Sequence, residues 1–408
     1  MTQTLLSPNI ITKESLVILE NTLVAAKKVN RAYENQNKPN TTFKRGDTIN
    51  VRKPNRFTVT TASAALAVQD IAETSVAVVV DHQSHVDFTF PTKDLTLVIE
   101  EFSDRYLKPA MAALANSIDY GVLQLYKDVH NQVGAARTTP ASFAALAAAT
   151  RRLNEEAAPV DKLRTGIIDP AAEVTLADAF KLFYNPQSAI GDQYEEAMIG
   201  RVAGADWFMD QNVALHTTGS VTNTTPAIDT NVVAGNTYLH MDGLNGATVT
   251  ALKGDTFTIA GIYAVNPQNR QSTGVLKQFV VTANTTASGS EFGTIVNTGL
   301  PYSPAMYDSG ALQNVTALPV DGDLVTFFDP GSAVSTQNLV FHRDAFTLVT
   351  VPLEMPNGVH FAARESYKGI NMRIIRQYLI SDDTIPCRID ILWGAKTIYP
   401  ELACRLAG

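Results

Sequence analysis

Between residues 94 and 132 the apolar side chains fall in steps of three and four: Ile99, Phe102, Tyr106, Ala110, Leu114, Ile118, Val122, Leu125 and Val129. That spacing lays them along one stripe of a helix, with Lys, Asp, Glu and Asn mostly off it. Thr92 is placed to cap the start, and Gly134 closes the run. Pro109 lies inside the pattern and predicts a kink or two abutting helices. Such a helix exceeds the globular average of about 12 residues. It reads either as a beam that other elements lie across or as a plain helix buried in a large core.

A chain of 408 residues is too long for one compact core and predicts two or three domains. Charged residues make up 18%, fewer than in an ordinary globular protein, which suits a surface covered by partners. The formal net charge of -8 excludes a wholly cationic nucleic-acid binder. Cys387 and Cys404 belong to no CxxC pair, as expected in a reducing compartment without a disulfide framework. The first residues lack the basic region and apolar core of a signal peptide, and no apolar stretch is long enough to span a bilayer. A soluble, cytosolically made protein is expected.

Residues 1–42 read as an arm, with helical spacing over 15–33 and a polar linker after it. The arm either docks on a neighbour or folds back on its own chain. Over 43–81, Ile49 and Val51 alternate with Thr48, Asn50 and Arg52, and Ser75-Val-Ala-Val-Val-Val80 returns. Two strands alone are marginal, so this ribbon is expected to lean on another copy of the chain. His85-Val-Asp-Phe-Thr-Phe90 is a third alternating strand. After the long helix come a helix over 142–158, capped by Thr139 with Pro140 first, a buried strand over 166–170 and a helix over 171–183. The mixture gives an α+β class.

Composition changes near Gly219. From 219 to 337, Lys253, Arg270 and Lys277 stand against eight acidic residues, a net -5 of the chain's -8. Strand candidates at 256–259, 277–282, 293–296 and 324–328 alternate with turn signals and predict a small all-β barrel or sandwich. Because the mixed style resumes at Asn338, this module reads as an insertion. Cys387, Ile389, Ile391 and Trp393 then alternate along a strand expected to lie under the long helix.

The sequence has no phosphate-cradling Gly-rich loop followed by Lys-Ser/Thr, no GxSxG elbow and no HExxH. His82 and His85 would point to opposite faces of a strand, so they make a poor metal pair. His342-Arg343-Asp344 matches a kinase triplet without its companion motifs. The adjacent acidic pairs, such as Glu155-Glu156, do not face each other on a helix. Cys387 reads as a core residue. No catalytic residue, cofactor or metal is expected. Lys44, Arg45, Arg52, Lys53 and Arg56 form a basic cluster on the ribbon, read either as a solvated hairpin face or as a positive finger meeting acidic surface on a neighbouring subunit.

The order of arm, ribbon, long helix, α+β body, inserted β module and returning strands resembles the major capsid (coat) proteins of tailed phages. These have the HK97 fold, and the likeness is to the short-tailed type with an inserted β-barrel. Gly200-Arg-Val-Ala-Gly-Ala-Asp-Trp-Phe-Met-Asp resembles the segment ahead of that insertion, and Leu252-Lys-Gly-Asp-Thr-Phe-Thr-Ile a strand of its barrel. Asn338-Leu-Val-Phe-His-Arg-Asp-Ala-Phe resembles the re-entry, and Cys387-Arg-Ile-Asp-Ile-Leu-Trp-Gly the last body strand. The resemblance implies an extended E-loop over 43–81. It places spine helix, peripheral domain and the first part of an axial domain in 82–218. The insert occupies 219–337, and the rest of the axial domain and the returning peripheral strands 338–408. It implies a loop within 231–250, including Asp242, at subunit contacts. It further implies hexamers and pentamers in an icosahedral virion shell, a scaffolding protein and portal as partners, expansion on packaging, and only non-specific contact with DNA. An encapsulin-like compartment and a secreted β-rich adhesin or hydrolase are the alternatives.

Overall fold

A computed structural model describes residues 8–32, 46–59, 73–91, 103–180, 199–222, 226–293, 299–381 and 384–407. The chain divides into two compact units, one of residues 1–53, 75–122 and 346–398, the other of 54–74, 123–345 and 399–408.

The first unit is organised on the strand Thr384–Thr397. One edge pairs antiparallel with His82–Pro91 over residues 384–393. The other edge serves two partners in turn, Ile370–Arg376 and then Phe346–Val351. Phe361–Tyr367 extends the sheet beyond Ile370–Arg376. Cys387, Ile389, Ile391 and Trp393 are buried, as the alternation predicts, but Asp390 is buried as well. It is held there by Arg373, through bonds of 3.0 and 2.6 Å, and by Gln83 at 3.1 Å.

The expected spine helix is built from three helical forms. A π turn, Ser103–Leu107, leads into the α-helix Lys108–Leu123, and a 3-10 stretch follows over Gln124–Asp128. Pro109 is the second residue of the α segment, directly after the π turn, so the helical form changes at the proline and the chain continues helical through it. Met111, Leu114, Ala115, Ile118 and Val122 are buried. The helix ends at Asp128 rather than 132, because Gln132–Gly134 is captured as a strand beside Ala403–Ala407. The expected cap at Thr92 and the first turns lie outside the described residues.

The arm folds back on its own chain. Pro8–Thr22 is helical and packs on Phe361–Tyr367 and Ile370–Arg376, with Leu16 and Leu19 buried. Asp119 of the spine helix then caps the next turn, accepting from Val24 N at 2.8 Å and Ala26 N at 2.7 Å. Asn30 bridges to the sheet edge through Phe346 O and Leu348 N.

Thr48–Arg52 and Ser75–Val79 form the expected ribbon, in register from Thr48 opposite Val79 to Arg52 opposite Ser75. Its base needs no other copy of the chain. Ile49, Val51, Val78 and Val80 are buried within this unit, and the ribbon lies so close to Gly394 that a Cβ there would fall 2.2 Å from Val79 O.

The second unit holds a mixed sheet in the order Gln132–Gly134, Ala403–Ala407, Val334–His342, Arg164–Ile168, Ala205–Met209, Gly200–Val202. The helices Phe143–Glu155 and Pro170–Phe180 cover it, burying Leu146, Leu153, Leu176 and Phe180 with Trp207 and Val340. Ser142, not Thr139, caps the first of these. Its hydroxyl accepts from Ala145 N, three residues on, which is the reach of a capping side chain.

Leu215–Thr217 pairs with the start of Val334–His342, so the strands entering and leaving the β module run side by side. The module's main sheet is ordered Tyr238–Leu239, Leu300–Ser303, Ser272–Val281, Thr256–Val265, Val325–Phe327. These strands contain or overlap the expected ones at 256–259, 277–282 and 324–328, while 294–298 lies outside the described residues. Phe257, Phe279, Tyr302 and Phe327 centre a core drawn wholly from residues between Val221 and Phe327.

Candidate assembly surfaces and the seam under the insert

The insert meets the rest of its unit through polar groups. Gln278, on Ser272–Val281, accepts from Gln132 N and donates to Gln132 O, both at 2.8 Å, as a neighbouring strand would. The Gln132 side chain accepts from Thr256 Oγ1 at 2.5 Å and donates to Asp329 at 2.8 Å. Asp329 also takes Ala136 N at 2.6 Å. Beside this lattice, Lys277 Nζ lies 2.5 Å from Glu156 Oε1, at the end of Phe143–Glu155.

A second patch joins the turn 252–255 to the end of the spine helix. Tyr126 Oη and His216 Nδ1 are 3.0 Å apart, and His216 Nε2 and Asp255 Oδ1 are 2.9 Å apart. One consistent assignment has the tyrosine donate to Nδ1 and the other ring N–H donate to the carboxylate. The second Asp255 oxygen accepts from Leu252 N at 2.8 Å and Gly219 N at 3.0 Å. Arg405, buried under Tyr126, donates to Gly254 O at 2.7 Å. Burial lowers its guanidinium to about 10, so it stays charged. Gly254 needs its φ of +102° to make the turn. Each of these buried groups would cost roughly 1–3 kcal/mol if left without its partner, so the seam favours one seating of the insert over slipped ones.

The predicted interface residues fall in both units, and two of them lie outside the described residues. Lys44 and Arg45 lie outside the described residues. Arg52 and Lys53 belong to the first unit, Arg52 exposed at the end of Thr48–Arg52. Arg56 belongs to the second unit and pairs with Glu401 of its own chain at 3.1 Å, and Arg270 donates to Phe57 O next to it. Asp242 is half-buried on Met241–Asp242, paired with Ala227–Ile228. Val232, Leu239, Met241, Leu244 and Val249 sit in the insert core, so 231–250 is largely built into the barrel, with exposed tips at 233–234 and 247–248.

His82 and His85 lie on one strand beside Asp81 and Asp87, and no group of three metal-ligating side chains occurs among the described residues. His342 is buried and pairs with Asp161 at 3.1 Å. Burial pushes the thiols of Cys387 and Cys404 up to about 12, which disfavours the thiolate form of both. Sequence reading missed the seam residues. Arg405, alone in the apolar run Ala-Cys-Arg-Leu-Ala, was the available signal.

Residues 2–408 match the family described as P22 coat protein - gene protein 5. The chain belongs to the P22 coat protein family. It is a tailed-phage major capsid protein that assembles with itself into the shell of the virion. Its α+β architecture is the HK97-like capsid fold with an additional β domain. The coat protein is also similar to a structure from Mycobacterium phage Che8, at 13% identity, 94% and 90% coverage of this and that chain, and TM-score 0.46. For the capsid structure of cyanophage P-SCSP1u the values are 11%, 90% and 84%, and 0.41. The CUS-3 coat protein I-domain matches at 18% identity over 26% of this chain and 97% of its own, with TM-score 0.20. Comparison with curated proteins gives no match. The coat-protein family role is structural.

Proposed function

We propose that this coat protein builds an icosahedral shell of hexamers and pentamers around double-stranded DNA. It first forms a precursor around a scaffolding protein, with a portal in the shell, and then expands as DNA enters. Its role is mechanical, without catalytic chemistry. The observation that supports this most is the division into two compact units with the chain passing repeatedly between them, at residues 53–54, 74–75, 122–123, 345–346 and 398–399. Two packed bodies joined at a few chain crossings are what a subunit needs to move between two lattice packings without unfolding.

We further propose the domain assignment of 43–81 as E-loop and 219–337 as insert, with Arg52, Lys53 and the exposed tips of 231–250 at contacts between copies. A shell repeats one set of contacts many times, so modest contacts suffice. The net charge of -8 suits a container that must not grip entering DNA. The test is co-expression with a scaffolding protein, followed by negative-stain microscopy. Closed hollow particles are expected. Monodisperse monomer under every assembly condition contradicts the proposal.

A further inference from the structure

We infer that Lys277, Glu156 and His130 form an acid-sensitive latch that seats the insert on the rest of its unit and loosens on mild acidification. The latch is three groups from three elements. Lys277 comes from the insert strand Ser272–Val281, Glu156 follows the helix Phe143–Glu155, and His130 lies between the 3-10 stretch Gln124–Asp128 and the strand Gln132–Gly134. Lys277 Nζ is 2.5 Å from Glu156 Oε1, with the two side chains 3% and 10% exposed. His130 Nε2 is 3.9 Å from the same oxygen, beyond hydrogen-bond reach. Among the described residues, neither His130 ring nitrogen has a hydrogen-bond partner, although the residue is 1% exposed.

The charge balance explains why this arrangement senses protons. When the insert is seated, one ammonium faces one carboxylate and the imidazole beside them is neutral. A proton on His130 places a second cation next to Lys277 in a site closed to water. When the insert is unseated, the same proton is solvated and costs nothing. The charged groups facing His130 are Glu156, Lys277 and Glu401. Burial lowers the His130 pKa, Lys277 lowers it further, and attraction to Glu156 and Glu401 opposes without reversing the shift. A base whose seated pKa lies below its free value gives its full contribution above about pH 6.5 and loses it as pH falls from there.

Glu156 responds in a different range. Burial alone would push its carboxyl up, but Lys277 and His130 outweigh burial and hold it well below the usual carboxylate range. Its contribution is present above about pH 4.5 and is lost only as pH falls below that. Within the latch, the interval between about 6.5 and 4.5 therefore belongs to His130. None of the three latch residues is in the insert's hydrophobic core, so loosening the latch leaves that core's contacts in place.

The test is hydrogen–deuterium exchange mass spectrometry on the full-length coat protein at about pH 7.5 and about pH 5.5, normalised to intrinsic amide rates. The amides of Gln132 and Ala136, which donate to Gln278 and Asp329, report the seam, and those of 257–259 and 278–280 the barrel core. Exchange at the His130 ring carbon in the same protein reads its titration directly. The expected result is a His130 midpoint below 6.5 and about tenfold loss of protection at the seam relative to the core on acidification. His130→Gln is expected to abolish that difference. A His130 midpoint at or above 6.5, or seam and core responding alike, overturns the inference. Should His130→Gln fail to fold, the two wild-type readouts decide the matter.

Discussion

Gln278 occupies the place of a missing strand beside Gln132: its side-chain amide takes both the N–H and the C=O of that residue, each at 2.8 Å. A barrel with its own core is expected to fold without host side chains, but it needs them to be aimed. Polar contacts suit aiming, because a shifted register leaves donors and acceptors unpaired.

Gln278→Ala removes both bonds and leaves two buried backbone groups at Gln132 unsatisfied. A loss of about 1–3 kcal/mol is expected in urea denaturation. Circular dichroism of the barrel should be unchanged at temperatures below its transition. A wild-type midpoint in urea would mean that water replaces the amide without cost.

Gly121 and Trp393 make a second close pair, inside the first unit. A Cβ on Gly121 would lie 2.1 Å from the indole ring. Glycine to alanine in a helix ordinarily gains about 1 kcal/mol, but overpacking of a filled core costs roughly 1–3 kcal/mol, so Gly121→Ala is expected to destabilise. Trp393→Leu in the same chain should recover part of that loss. A raised denaturation midpoint for Gly121→Ala alone would show that the ring moves freely.

Asp210 carries a buried carboxylate oxygen with no hydrogen-bond partner among the described residues. Burial raises its pKa, only partly offset by bonds from Asn212. An acid whose folded pKa is raised contributes fully below the unfolded value and loses that contribution as pH rises through the folded one. Asp210→Asn is therefore expected to raise the urea midpoint at neutral pH and to have little effect at acid pH. The reverse order would contradict the assignment.

Much of the architecture follows from pattern. Ile49 and Val51 announce the ribbon strand, Leu114 and Ile118 the spine, Cys387 to Trp393 the central strand, and the loss of charge balance after Gly219 the β module. What escapes pattern is whatever depends on partners distant in sequence. Val129 continues the apolar stripe, yet the helix stops at Asp128 because Gln132 is claimed by Arg405 and Gln278. Thr139 followed by Pro140 is as good a helix start as Ser142, and packing chose Ser142. The arm carries no local mark of its docking site, because Asp119 caps it from 95 residues away. The seam was hidden for the same reason. Gln, Lys and Glu on an exposed-looking pattern declare themselves buried only when the opposing surface is known.

Among the described residues, the insert's core draws on none outside 221–327. Residues 219–337 expressed alone are expected to fold, giving a β-type circular dichroism spectrum and a cooperative thermal transition. A random-coil spectrum would show that the seam is needed for folding and not only for orientation.

The central claim is that this chain functions as a repeated shell subunit whose insert is held in one seating. A symmetric cryo-electron microscopy reconstruction of particles assembled with a scaffolding protein tests it most directly. The account predicts a closed shell of capsomers, with Gln278 against the Gln132 main chain in every subunit. Particles that never close, or inserts with no fixed density over the seam, would contradict it.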